Sequence, residues 1–232
     1  MLPIKDDQPR YSTPYVTWFL IGLNIAIYFF QSTLGAHSYM AFLMTFGVVP
    51  SHLSALLAGS TQFTLPAVLV PYLTSMFVHG GWEHVLLNML WLYIFGDNVE
   101  DYLGHFKYLA FYLLAGLLAM ATQVAIYPHS NVPTVGASGA IAGVLGAYFL
   151  LYPRARVLTW FIIFVLYLPA WVVLGEWFVL QFYAGATSLT VTQAGRDAGG
   201  VAVWAHVGGF LSGLAMVKLF GERQRRYPYA YR

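Results

Sequence analysis

The sequence predicts an all-α integral membrane protein, a compact bundle of six transmembrane helices with both termini in the cytoplasm. The first observation behind this prediction is composition: of 232 residues, 59% are hydrophobic and 9% are charged. A soluble domain carries about a quarter charged residues, so this chain cannot cover a water-facing surface. The other two observations are the number of apolar segments and the distribution of positive charge along the chain.

Six apolar segments approach the length of about 20 residues that a helix needs to cross a bilayer. They cover roughly residues 14–34, 83–103, 107–127, 136–152, 157–180 and 203–220. The chain then divides into a cytoplasmic N-terminal segment (1–13), a six-helix membrane domain (14–220) and a basic cytoplasmic tail (221–232). The long linker 35–80 is apolar but is interrupted by prolines, so we expect short interfacial or re-entrant helices there.

Positive charge supports six spans. With the N-terminus inside, every lysine and arginine except Arg196 falls on the cytoplasmic side, where these residues are enriched in membrane proteins. A seventh span through 62–80 would move the later basic clusters outside. The net charge of +2 gives no case for a nucleic-acid partner, and the absence of cysteine excludes disulfides and thiolate sites.

Four polar residues lie where a membrane helix rarely tolerates them. His84 and Asn88 share one face near the outer end of the second segment, Ser138 lies in the first turn of the fourth, and His206 in the first turn of the sixth. In the six-span topology all four reach the same depth, near the outer face. Small residues that would let the helices approach there are Gly136, Gly139, Gly143, Gly209 and Gly213.

This combination of a serine, a histidine and hydrogen-bond donors is typical of the active site of a hydrolase. Neutral His206 can take the proton of the Ser138 hydroxyl, and the first N–H groups of the fourth helix and the Asn88 amide can stabilise an oxyanion. His84 adds a donor if its ring presents an N–H. Because no acidic residue has an obvious place behind His206, we expect a Ser-His dyad. Considered one at a time, each residue has a simpler interpretation: Ser138 is a helix cap, and the two histidines and Asn88 are packing residues.

The motifs "HGGWEHVLLNML", "FGDNVED", "GASG" and "AHVGG", in this order from His79 to Gly213, resemble those of the rhomboid intramembrane serine proteases. The resemblance implies Ser138 as nucleophile, His206 as general base, and an oxyanion hole of His84, Asn88 and the Ser138 N–H. It also implies cleavage of transmembrane protein substrates near the bilayer boundary, with no metal or cofactor. The fifth span and its outer loop (179–202) would then form a lateral gate.

The chain departs from the family pattern in two places. Many rhomboids carry an aromatic residue four positions after the serine, against which the catalytic histidine packs, and Ala142 stands there instead. Many also carry a Trp-Arg pair in the first outer loop, yet no arginine occurs between Arg10 and Arg154. Another residue must therefore hold His206, and the first loop must be anchored differently.

Two other functions remain open from sequence. One is a catalytically silent rhomboid-like protein that binds client transmembrane helices, and the other is a small transporter or channel. A transport path should show polar groups through the whole depth of the membrane, whereas here they stop in the outer half. The short polar N-terminus favours a bacterial plasma membrane, with the active site opening to the extracytoplasmic side.

Overall fold

The computed structural model describes residues 1–190 and 201–221, and these are mostly helical. The elements in chain order are β1 (Leu2–Asp6), α1 (Tyr15–Ser32), α2 (Ala36–Phe46), α3 (Pro50–Leu57), α4 (Leu65–Thr74), α5 (Trp82–Leu103), α6 (His105–Ile126), α7 (Ser138–Leu151), β2 (Arg156–Phe161), β3 (Phe164–Pro169), α8 (Ala170–Ser188) and α9 (Val203–Phe220). Within this part of the chain, α1, α6 and α9 are long and apolar enough to cross a membrane, and α7 is a shorter apolar helix.

The prediction of a helix over 157–180 is wrong in its first half. Residues 156–169 form the antiparallel hairpin of β2 and β3, and α8 begins only at Ala170. The run "RVLTWFIIFVLYLP" is rich in β-branched and aromatic residues, which favour strands, and Pro169 cannot lie inside a helix. The chain is therefore not all-α.

The N-terminal segment is part of the same sheet. Strand β1 pairs antiparallel with β2, with Leu2 opposite Trp160 and Asp6 opposite Val157, so the strand order is β1-β2-β3. Asp6 also accepts a hydrogen bond from the Tyr148 hydroxyl of α7. Residues 2–6 are thus docked on the helices, which the division at residue 13 did not predict. The predicted tail lies outside the described residues from 222 onward.

The linker between α1 and α5 contains the expected short helices. Helix α4 has 10 residues and continues into a 3₁₀ turn (Ser75–Phe77). The apolar helix Leu65–Phe77 is thus about 20 Å long, short of the roughly 30 Å of a bilayer core. The seventh span considered for 62–80 is therefore absent from this stretch. Helices α2 and α3 are of similar length, with 11 and 8 residues.

Helix α7 packs between α6 and α9 through backbone contacts at glycine. A Cβ on Gly213 would lie 1.9 Å from the carbonyl oxygen of Gly143, and one on Gly209 would lie 2.1 Å from that of Gly139. On the other side of α7, a Cβ on Gly143 would lie 2.4 Å from the Cβ of Ala115 in α6. Gly139, Gly143, Gly209 and Gly213 thus lie where α7 meets its two neighbouring helices.

Alanine at Gly213 is expected to destabilise the protein by about 1–3 kcal/mol, because its methyl group must displace the backbone of α7. Gly22 in α1 is the matched control, since a Cβ there meets nothing within 4 Å. Gly22→Ala should be neutral or stabilising by up to about 1 kcal/mol. Thermal unfolding of both variants in detergent measures the difference. Equal midpoints for the two variants would contradict the close approach of α7 and α9.

The last turn of α5, which follows the helical residues "FGDN" (95–98), binds the start of α1. The Glu100 carboxylate accepts hydrogen bonds from the backbone N–H groups of Val16 and Thr17, at 2.9 and 2.8 Å, and from the Thr17 hydroxyl at 2.7 Å. Asp101 accepts from the Ser12 hydroxyl at 2.6 Å. Glu100 is fully buried, so this cluster is an interhelical junction and not only a hydrated helix end.

Candidate active site

Ser138 and His206 are in direct hydrogen-bond contact. Ser138 is the first residue of α7, His206 lies in the first turn of α9, and Ser138 Oγ is 2.8 Å from His206 Nε2. The glycine contacts between α7 and α9 begin one residue after Ser138, at Gly139, and bring the two helix starts together. His206 is 7% exposed, so its ring is held in a largely dry environment.

The other side of the His206 ring faces α8. Nδ1 lies 2.8 Å from Oε1 of Gln181, and the ring of Trp177 is centred 5.6 Å from the imidazole. Ala142 is fully buried, and a Cβ on Gly209 would be 3.2 Å from its methyl group, so α7 and α9 leave no room there for an aromatic ring. Trp177 and Gln181 therefore hold His206, and they replace the aromatic residue that many rhomboids carry at the position of Ala142.

Sequence reasoning missed Gln181. The predicted fifth span ended at residue 180, which put this glutamine in a loop, whereas α8 continues to Ser188. A glutamine inside an apolar helix is costly and would have been a candidate once the helix was correctly placed. The acidic residue of α8, Glu176, does not take this place: its carboxylate lies 3.8 Å from the amino terminus, and both ring nitrogens of His206 have other partners.

Two donors of α5, on Asn88 and His84, line the same cavity as Ser138. The Asn88 amide nitrogen is buried and has no hydrogen-bond partner among the described residues. His84 Nδ1 accepts a hydrogen bond from the backbone N–H of Gly80 at 3.4 Å, which leaves the ring proton on Nε2. A buried amide without an acceptor is costly, so its presence beside a serine indicates a site that a ligand oxygen completes.

Gly136 serves the site differently from the predicted helix packing. It precedes α7, its φ of 125° favours glycine, and a Cβ there would lie 2.7 Å from His84 Nε2 and 3.5 Å from Ser138 Oγ. The missing side chain leaves open the space between the serine and the His84 ring. The backbone N–H of Gly136 donates to the Ser75 carbonyl at 2.9 Å, which fixes this loop.

These groups line one cavity of about 520 Å³, a volume typical of ligand sites. Its walls include Ser138, His206, His84 and Asn88, together with Trp91 of α5 and Trp177 of α8. The two tryptophan rings are centred 6.0 Å apart, so they close the cavity between α5 and α8.

A model of the Rhomboid domain matches residues 66–223. The chain belongs to the rhomboid family. The rhomboid match contains the serine, both site histidines, Asn88 and Gln181, and it leaves out β1 and helices α1 to α3. The family includes serine proteases that act on transmembrane substrates within the membrane, and this rhomboid is an integral membrane protein.

Curated relatives carry both protease and rhomboid-like names. The chain is 30% identical over 164 residues to rhomboid-like protein 11, chloroplastic, of Arabidopsis thaliana, covering 65% of this chain and 52% of the relative. It is 33% identical over 134 residues to rhomboid protease GluP of Bacillus subtilis, covering 58% and 24%. It is 31% identical over 147 residues to rhomboid protease AarA of Providencia stuartii, covering 57% of this chain and 49% of the relative. This rhomboid thus matches about half the length of two relatives and a quarter of the third.

Proposed function

We propose that the protein is an intramembrane serine protease that hydrolyses peptide bonds in or near transmembrane segments with the dyad Ser138 and His206. The observation that carries the proposal is the contact of 2.8 Å between Ser138 Oγ and His206 Nε2. It lies inside a cavity that also holds the unpaired Asn88 amide. A serine that merely capped a helix would need neither a buried histidine nor a vacant donor beside it.

The dyad works by proton transfer in two directions. As Ser138 Oγ attacks the scissile carbonyl carbon, His206 Nε2 takes the hydroxyl proton and then donates it to the leaving amine nitrogen. The C–N bond breaks and an ester to Ser138 remains. Water then attacks this ester and His206 Nε2 accepts a proton from the water. The bond between the acyl carbon and Ser138 Oγ breaks, His206 returns the proton to Oγ, and the acid product leaves.

The negative charge that develops on the carbonyl oxygen needs donors that are already in place. Three donors would stabilise this oxyanion: Asn88 Nδ2, the Ser138 backbone N–H at the start of α7, and His84 Nε2–H. Helix starts have N–H groups without an intrahelical acceptor, so the serine's own N–H is free for this use. The absence of a side chain at Gly136 leaves room for the oxygen between them.

We further propose that α1, α5, α6, α7, α8 and α9 cross the bilayer, with both termini in the cytoplasm. Helix α7 has 14 residues, or about 21 Å, which is shorter than a bilayer core of about 30 Å. Ser138 at its start therefore lies below the outer surface, in a cavity that opens to the extracytoplasmic side. We propose that the substrates are transmembrane proteins and that the membrane is a bacterial plasma membrane. The charge distribution supports the cytoplasmic placement of both termini.

Reconstituted wild-type protein tests the proposal in two assays: cleavage of a reporter transmembrane substrate in liposomes, and labelling by a fluorophosphonate probe, which requires an activated serine. We expect cleavage and labelling by the wild type and neither by Ser138→Ala. A folded wild-type protein that neither cleaves several substrates nor reacts with the probe would contradict the protease. It would favour a rhomboid-like protein that binds client helices.

Alanine at Asn88 is expected to lower kcat by about 10²- to 10³-fold with little change in KM, because the amide acts on charge that exists only in the transition state. Asn24→Ala is the matched control: Asn24 is also a buried asparagine in a helix, and its amide donates to the Leu20 carbonyl in α1. The control should keep the kcat of the wild type. Equal losses in both variants would assign the effect to folding and not to the oxyanion.

A further inference from the structure

We propose that Gln181 of α8 is a positioning residue, which fixes the tautomer and orientation of His206 and makes both depend on where α8 lies. This inference rests on the proposed protease function. Gln181 does not contact the reacting atoms, and it acts through the imidazole that does.

The direction of the two hydrogen bonds follows from the chemistry. To accept the serine proton, His206 Nε2 must present its lone pair, so the ring proton must be on Nδ1. Nδ1 lies 2.8 Å from Gln181 Oε1, and a carbonyl oxygen can only accept. The opposite arrangement, with the amide donating to Nδ1, would place the ring proton on Nε2 against the serine and prevent attack. The Gln181 oxygen thus selects the reactive tautomer.

The same contact joins the base to a helix that is weakly packed on its outer half. The buried residues of α8 are Ala170, Val173 and Leu174 at its start and Gly185 near its end. Between them, Val179, Leu180, Phe182 and Tyr183 are exposed. The inward-facing residues of this stretch include Trp177 and Gln181, both in contact with His206.

The wall of the cavity and the alignment of the base therefore involve the same face of α8. Trp177 of α8 lies against Trp91 of α5 in the cavity wall and also packs on His206, one turn before Gln181. A displacement of this face would move both α8 partners of the imidazole, Trp177 and Gln181, at once.

Isosteric substitutions separate this role from packing. Gln181→Met keeps the length of the side chain and removes the acceptor, and Gln181→Glu keeps both the length and an acceptor oxygen. We expect kcat of the Met variant to fall about tenfold to a hundredfold with KM nearly unchanged, as for the loss of one orienting hydrogen bond. The kcat of the Glu variant should stay within about threefold of the wild-type value, because the acceptor oxygen and its hydrogen bond are kept. Leu180→Ala, an exposed neighbour, should be neutral.

Histidine-selective ¹⁵N NMR gives a second readout that does not depend on turnover. The His206 signal, assigned by its absence from His206→Ala, should show the proton on Nδ1 in the wild type and in Gln181→Glu, and a mixture of tautomers in Gln181→Met. An unchanged kcat and tautomer in the Met variant would overturn the inference and leave the protease intact. An equal loss in the Met and Glu variants would also overturn it. A wild type without cleavage or probe labelling would instead contradict the proposed function.

Discussion

Alanine at His206 is expected to slow substrate cleavage by about 10⁴- to 10⁶-fold, and the double variant Ser138→Ala, His206→Ala should be no slower than either single one. The two side chains are joined by a hydrogen bond of 2.8 Å and act in one proton transfer, so removing either removes the function of both. The test is the initial rate at which each of the three variants cleaves a reporter transmembrane substrate, measured down to the detection limit of the assay.

The matched control is His129→Ala, a histidine exposed in the loop before α7. It should cleave at the wild-type rate and unfold at the wild-type temperature. Losses of Ser138 and His206 that multiply in the double variant would mean that the two residues act independently. The contact between them would then be structural, and another base would have to be sought.

The position of the dyad could be predicted from sequence because it depends on local geometry. Helix rise and direction set the depth of Ser138 and His206, and the glycines at 139, 143, 209 and 213 indicate which helix faces meet. The depth of Ser138 and His206 depends only on the order and approximate starts of the helices. An error of a few residues at their far ends does not affect it.

The sheet and Gln181 could not be predicted in the same way. β1 pairs with β2, and Leu2 lies opposite Trp160, so the pairing depends on contacts far apart in sequence that no local pattern reveals. The strands β2 and β3 are as apolar as a membrane helix, and hydropathy alone cannot separate the two. Pro169 was the local signal for a boundary. A span placed over 157–180 starts before Pro169 and ends before Gln181, whereas α8 runs from Ala170 to Ser188.

The largest loss of stability is expected at Glu100, far from the dyad. Pro14, the residue before α1, provides no side-chain cap, so the N–H groups of Val16 and Thr17 depend on the Glu100 carboxylate of α5. His105 Nδ1 is a further partner of this carboxylate, at 2.6 Å. A negative charge at the start of a helix is favoured by the helix dipole, and here it also satisfies the buried N–H and hydroxyl of Thr17.

Glu100→Ala should therefore reduce the free energy of unfolding in mixed micelles by about 3–5 kcal/mol, since it leaves several buried donors unsatisfied at once. Glu100→Gln keeps one acceptor oxygen and should lose less. Glu83→Ala is the control, an exposed glutamate at the other end of the same helix, with an expected change within about 0.5 kcal/mol. If Glu100→Ala unfolds like Glu83→Ala, the start of α1 must be satisfied by other groups, and α5 does not hold it in place.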